Sequence, residues 1–106
     1  MKMRSNAEFT AKLRELAIDM ARHTFEVFTC KGADQDEARF LAASRKREFS
    51  VLCDLVKVAN VGGRPALVQH LHDEQRRSKR LALRNDGEAL YESQERVRLI
   101  RWALGL

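Results

Sequence analysis

Five basic side chains lie within nine residues in the last third of the chain, at Arg76, Arg77, Lys79, Arg80 and Arg84. No acidic residue stands among them. On a helix Arg76, Arg80 and Arg84 follow at i, i+4 and i+8, and therefore share one face. Guanidinium and ammonium groups bind phosphates, so this stripe predicts a surface for DNA or RNA, with an acidic protein as another possible partner. A solvated helix face without a ligand is the alternative interpretation.

The charge balance around this stripe supports the prediction. Asp73 stands four residues before Arg77, so it is expected to pair with that side chain, leaving Arg80 and Arg84 without a carboxylate. A second basic run, Arg45-Lys46-Arg47, would extend the phosphate-binding surface if its helix lies beside the first stripe.

Metal-dependent or catalytic chemistry has weaker signals. His70 and His72 point about 160° apart on a helix, so they cannot share an ion, whereas His70 and Glu74 could supply two ligands. The serines fall within or cap predicted helices, and Gly62-Gly63 lacks the spaced glycines and lysine of a phosphate loop. We therefore expect a small nucleic-acid-associated or regulatory binding protein that is not an enzyme and uses no metal or cofactor.

The segment 58–71 resembles a helix-turn-helix in part. Ala59 and Gly63 stand four residues apart, as in that motif, and a candidate recognition helix follows. Gln69 departs from the pattern, because the motif has an apolar residue there. A simple helical hairpin is the alternative.

The C-terminal segment is apolar on more than one side. Its large side chains exceed one stripe of a helix packed in a small bundle, and they predict a partner interface at Val97, Leu99, Ile100, Trp102 and Leu106. A homodimer through this segment is expected. The rival function is accordingly a protein-interaction module (adaptor, chaperone or inhibitor) with no nucleic-acid role, and an ordinary core position remains the alternative for these residues.

Four segments with helical periodicity position these side chains. Ser5 and Glu8 form a capping-box pattern before a helix that ends at Lys31-Gly32. Its main apolar stripe begins at Phe9 and Leu13, while a second face carries Ile18, Ala21, Phe25 and Phe28. Asp34 is the expected cap of the second helix, which either kinks at Arg45-Lys46-Arg47 or runs through it. Further helices are expected after Gly62-Gly63 and after Asn85-Asp86-Gly87.

The composition agrees with this assignment. The 106 residues include one proline and five glycines, too few for the many turns of a compact β fold. We predict a single all-α domain over 1–106, an antiparallel bundle of four to five helices. The net charge is +5, no apolar run is long enough for a membrane span, and no secretory leader is evident, so a cytoplasmic protein with free Cys30 and Cys53 is expected.

Overall fold

The computed structural model describes residues 2–106, and every regular element in that range is helical. Helix α1 runs Asn6–Thr29, α2 runs Ala33–Leu83 and α3 runs Gly87–Ala103. The all-α prediction is therefore confirmed, but the predicted number of four to five helices is wrong. Gly62-Gly63 was expected to end one helix before the next begins, whereas helical turns continue directly on either side of Gly63.

Helix α1 begins where the capping box predicts. The Glu8 amide donates to the Ser5 hydroxyl at 3.2 Å, and the Ser5 amide donates to the Glu8 carboxylate at 3.2 Å. A hydrogen bond from Arg4, together with the Ser5 amide, holds the pKa of Glu8 below its ordinary value of 4.5. The ionised carboxylate is thus favoured in the folded chain, so its stabilisation is present at neutral pH and is lost as the pH falls through the lowered pKa.

Helix α2 changes direction at one residue. Gly63 has φ 63° and ψ −155°, whereas the rest of α2, including Arg45-Lys46-Arg47, keeps helical dihedral angles. We call residues 33–62 the first arm and residues 64–83 the second arm. Pro65 lies in the first turn of the second arm, where its missing amide hydrogen costs little. At the other end of α2 the cap is Gly32 without a side-chain hydrogen bond, so the predicted cap at Asp34 is wrong.

The two arms of α2 organise the other helices. Helix α1 runs antiparallel to the first arm, because Gln35 bonds the Val27 carbonyl at 2.8 Å while Asp19 lies 3.8 Å from Arg45. Helix α3 contacts both arms. Its Ser93 lies 2.7 Å from Ser78 of the second arm, and its Glu95 lies 3.3 Å from Ser44 of the first arm.

The apolar core lies toward the bend at Gly63. It is formed by ten buried side chains from all three helices: Phe9, Leu16, Leu52, Leu55, Leu67, Leu71, Leu99, Ile100, Ala103 and Leu104. The molecule is flat, measuring 46 × 38 × 20 Å, and its shortest dimension matches about two helix diameters. Its radius of gyration of 15.4 Å exceeds the roughly 13 Å of a compact chain of this length. Much helix surface consequently stays in contact with solvent.

None of the three helices combines the length and the apolar character needed to cross a membrane, considering residues 2–106. Cys30 and Cys53 are both half-buried free thiols.

The bend provides a stability prediction. Gly63→Ala places a Cβ in a backbone region that is essentially restricted to glycine, so we expect a loss of about 1–3 kcal/mol in the free energy of unfolding. Gly87→Ala is the matched control. It lies in the first turn of α3 with no atom within 4 Å of an added Cβ, and should be neutral or slightly stabilising. Urea unfolding of the two variants measures this difference, and equal stabilities would contradict the assigned bend.

Candidate nucleic-acid interface

The five clustered basic residues all lie exposed on the second arm of α2. At 100° per residue, Arg80 points directly away from the buried Leu71, with Arg76 and Arg84 about 40° to either side. Lys79 and Arg77 flank this line. We call these five residues the basic face, which extends about 12 Å along the helix at 1.5 Å per residue.

Two residues of the basic face have acidic partners one turn earlier. Asp73 pairs with Arg76, and Glu74 lies 4.0 Å from Arg77. These two pairs replace the predicted pair of Asp73 with Arg77. The Arg76 hydrogen bond, helped by Gln69, lowers the pKa of Asp73 and keeps this carboxylate charged. It therefore offsets the charge of Arg76 at neutral pH.

The other three cations of the basic face are uncompensated. Lys79, Arg80 and Arg84 make no ion pair within residues 2–106. Arg80 and Arg84 occupy successive turns, so their charges repel each other slightly in the isolated chain. An anion lying along this side of the helix would relieve that repulsion.

A groove adjoins the basic face between the second arm and α3. Its volume is about 770 Å³, within the range of small-molecule sites. Mostly polar side chains from the two helices line it, together with one aromatic and one aliphatic residue: Gln75, Ser78, Lys79, Tyr91, Gln94, Val97 and Arg98. Lys79 belongs to both the groove and the basic face, so the two surfaces are continuous. Tyr91 is 44% exposed and gives the groove an aromatic ring.

Buried polar contacts hold the groove walls together. The Ser93 hydroxyl lies 2.6 Å from the Glu74 carboxylate and 2.7 Å from the Ser78 hydroxyl, joining α3 to the second arm. On the other side of α3, Glu95 is buried and lies 3.6 Å from Arg47 of the first arm. These contacts fix the N-terminal half of α3, while Leu99 anchors its C-terminal half in the core.

The second basic run does not extend the basic face. Arg45 turns toward α1 and binds Glu48 at 3.0 Å, with Asp19 at 3.8 Å, whereas Arg47 turns toward α3 and lies near Glu95. Lys46 is exposed on a third side of the helix. Because consecutive helical residues point about 100° apart, the three cannot form one patch. The second basic run therefore does not extend the stripe as one continuous surface.

The five residues of the predicted C-terminal interface lie in different environments. Leu99 and Ile100 are 8% and 3% exposed, so they belong to the core of the chain itself. Trp102 is half-buried and packs edge-on against Phe9 at 5.6 Å between ring centroids. Val97 is half-buried in the groove wall, and Leu106 alone of the five is largely exposed. The apolar side chains on the several sides of α3 pack mainly within the chain itself, because this helix contacts both arms.

Sequence reasoning did not identify the α3 side of the groove. Tyr91, Gln94 and Arg98 stand at i, i+3 and i+7, so their common face was available from spacing alone. Their position opposite Gln75 and Lys79 depends on the antiparallel pairing of α3 with the second arm, which spacing does not give.

Other candidate motifs have ordinary structural positions. Gln69 is exposed and bonds Asp73 at 3.0 Å, so it does not make the helix-to-helix contact of a helix-turn-helix. His70 and His72 are exposed, and His23 is buried. Among residues 2–106, no three His, Cys, Asp or Glu side chains form a group suited to a metal ion.

A comparison with known proteins found no protein family, curated protein or solved structure that matches this chain.

Proposed function

We propose that this protein binds nucleic acid through the basic face, with the adjoining groove contributing to recognition of unpaired strands. One observation carries the proposal: Lys79, Arg80 and Arg84 are exposed, close in sequence and without acidic partners in residues 2–106, whereas Arg45 and Arg47 of the second basic run lie beside carboxylates.

The length of the basic face suits a phosphate backbone. A 12 Å stretch of helix faces about three phosphates of one DNA strand, at about 3.4 Å of duplex axis per phosphate. Phosphate contacts of this kind position a protein without reading sequence. The expected activity is therefore weak, sequence-tolerant binding with a dissociation constant in the micromolar range.

The groove favours a single strand over a duplex. A base stacked on an aromatic side chain contributes about 1–3 kcal/mol, and every base has such a face. Tyr91 lies across the groove from Lys79, which places a ring and a cation on opposite walls. An unpaired base entering the groove can thus stack on Tyr91 while its phosphate lies against Lys79.

The proposal is tested by titrating the whole protein with fluorescent single-stranded and duplex DNA and RNA across a salt series. Three phosphate contacts predict a slope of about −2 in log Kobs against log salt for single strands, since each contact contributes about −0.7. Raising salt from about 50 to 200 mM then weakens binding about 20-fold.

The contrary outcome is no binding of any of these nucleic acids at the lowest salt concentration. It would overturn the proposal and leave the basic face as a surface for an acidic protein or for solvent. Salt-independent binding would equally contradict it, because contacts to phosphates necessarily release counterions.

A further inference from the structure

The outer face of α1 carries a second pattern that the fold does not use. Seven residues recur with alternating spacings of four and three: Ala7, Ala11, Arg14, Ile18, Ala21, Phe25 and Phe28. All seven are exposed, and they lie on the side opposite the buried Phe9, Leu16 and His23. Six are apolar. This spacing is the heptad repeat of a coiled-coil seam, with Ala11, Ile18 and Phe25 at a positions and the others at d positions.

The exposed area of this seam is large for so small a chain. Ile18, Phe25 and Phe28 are 63%, 67% and 83% exposed. The two phenylalanines alone leave on the order of 300 Å² in solvent, given a side-chain area of about 200 Å² each. The seam is about 33 Å long at 1.5 Å per residue.

We infer that two copies of this chain dimerise through the outer faces of α1, packed antiparallel as a short coiled coil. The charge at Arg14 decides the orientation. Parallel packing would place Arg14 against Arg14 of the partner subunit and stack equal phenylalanines on each other. Antiparallel packing removes both conflicts.

One antiparallel register fits the seam by size. It places Ile18 opposite the partner's Ala21, and Phe28 opposite the partner's Ala11, so each of these two large side chains meets a small one. Arg14 then lies against the ring of the partner's Phe25, a favourable cation–π arrangement.

Charges beside the seam agree with the same register. Glu15 and Arg22 occupy the flanking e positions, and e positions face each other between antiparallel helices. The register brings Glu15 near the partner's Arg22, and by two-fold symmetry the same pair forms a second time. Within one chain the exposed side chains of these residues pair with neighbours on the same helix, Arg22 with Asp19 at 3.5 Å and Glu15 with Lys12 at 3.9 Å. Such surface pairs exchange at little cost.

The size of the contact sets the expected affinity. Two helices of about 10 Å width in contact over about 33 Å bury several hundred Å² per chain, less than the roughly 800 Å² of a standard interface. The dimer should therefore form at micromolar concentrations and dissociate on dilution.

Analytical ultracentrifugation of the whole protein over a concentration series tests this inference. We expect a concentration-dependent dimer, which F25E/F28E converts to a monomer with at least a tenfold higher dissociation constant. Leu83→Glu is the matched control, since Leu83 is 88% exposed on the second arm and should leave dimerisation unchanged. Circular dichroism checks that each variant keeps its helices.

The register is tested by E15R and R22E. Each substitution alone brings like charges together across the seam and should weaken the homodimer. An equal mixture of the two variants should restore dimerisation, because each chain then supplies the charge that the other lacks.

A wild-type chain that remains monomeric at high micromolar concentration would overturn the inference, as would a dimer insensitive to F25E/F28E or a mixture that fails to associate.

Discussion

Replacing Arg80 and Arg84 by glutamine should reduce the affinity for single-stranded nucleic acid about 25-fold at about 0.1 M salt. The two substitutions remove two phosphate contacts, and each contact contributes about 0.7 to the slope of log Kobs against log salt. Both side chains are exposed and lack acidic partners in residues 2–106, so neutralising them breaks no intramolecular ion pair. Fluorescence anisotropy across a salt series measures both effects, and the slope should fall from about −2 to about −0.7.

A control with the same change in net charge separates the basic face from general electrostatic attraction. Arg39 and Lys46 lie exposed on the first arm, seven residues apart and thus on one side of the helix. The double variant R39Q/K46Q should bind within about twofold of the wild type, because this side of the first arm is no part of the proposed surface. If both double variants lose affinity equally, the nucleic acid responds only to total charge and the assigned face is wrong.

Shortening Leu52 to alanine should produce the largest loss of stability. This side chain is 0% exposed in the first arm and belongs to the core that joins all three helices. Leucine-to-alanine changes at such positions cost about 2–5 kcal/mol, because the transfer free energy is lost and a cavity remains. For a chain of about this size we expect the melting temperature to fall by about 10 °C or more.

Leu83→Ala is the corresponding control, since the same side chain at 88% exposure has little packing to lose. Thermal unfolding followed by circular dichroism compares the two variants. A small and similar effect at Leu52 and Leu83 would show that the described core does not carry the stability of the fold.

Local sequence signals predicted the start of α1 better than the number of helices. Ser5 and Glu8 act through contacts within one turn, so the start of α1 follows directly from the sequence. Gly62-Gly63 correctly marked a change of direction. However, a single residue, Gly63, suffices for it, and helical turns resume at once, so the predicted separate helix is the second arm of α2. Spacing alone does not distinguish a bend from a loop.

In the candidate site, too, features set by helical periodicity could be predicted, whereas those set by packing between helices could not. The alignment of Arg76, Arg80 and Arg84 follows from helical periodicity, and their exposure agrees with the absence of apolar residues over His72–Arg80. The dispersal of Arg45-Lys46-Arg47 follows from the same periodicity. The burial of Leu99 and Ile100 could not be predicted, because it depends on α3 packing against both arms at once.

NMR can locate bound nucleic acid on the protein and thereby test the proposed interface. A ¹⁵N-labelled sample is titrated with a short single-stranded oligonucleotide, and backbone amide shifts are followed. We predict that the perturbations concentrate on residues 75–84 of the second arm and on Tyr91, Gln94 and Arg98 across the groove, while Ile18, Phe25 and Phe28 keep their positions. Perturbations centred on α1 or on the first arm, with the basic face unchanged, would contradict the proposed interface.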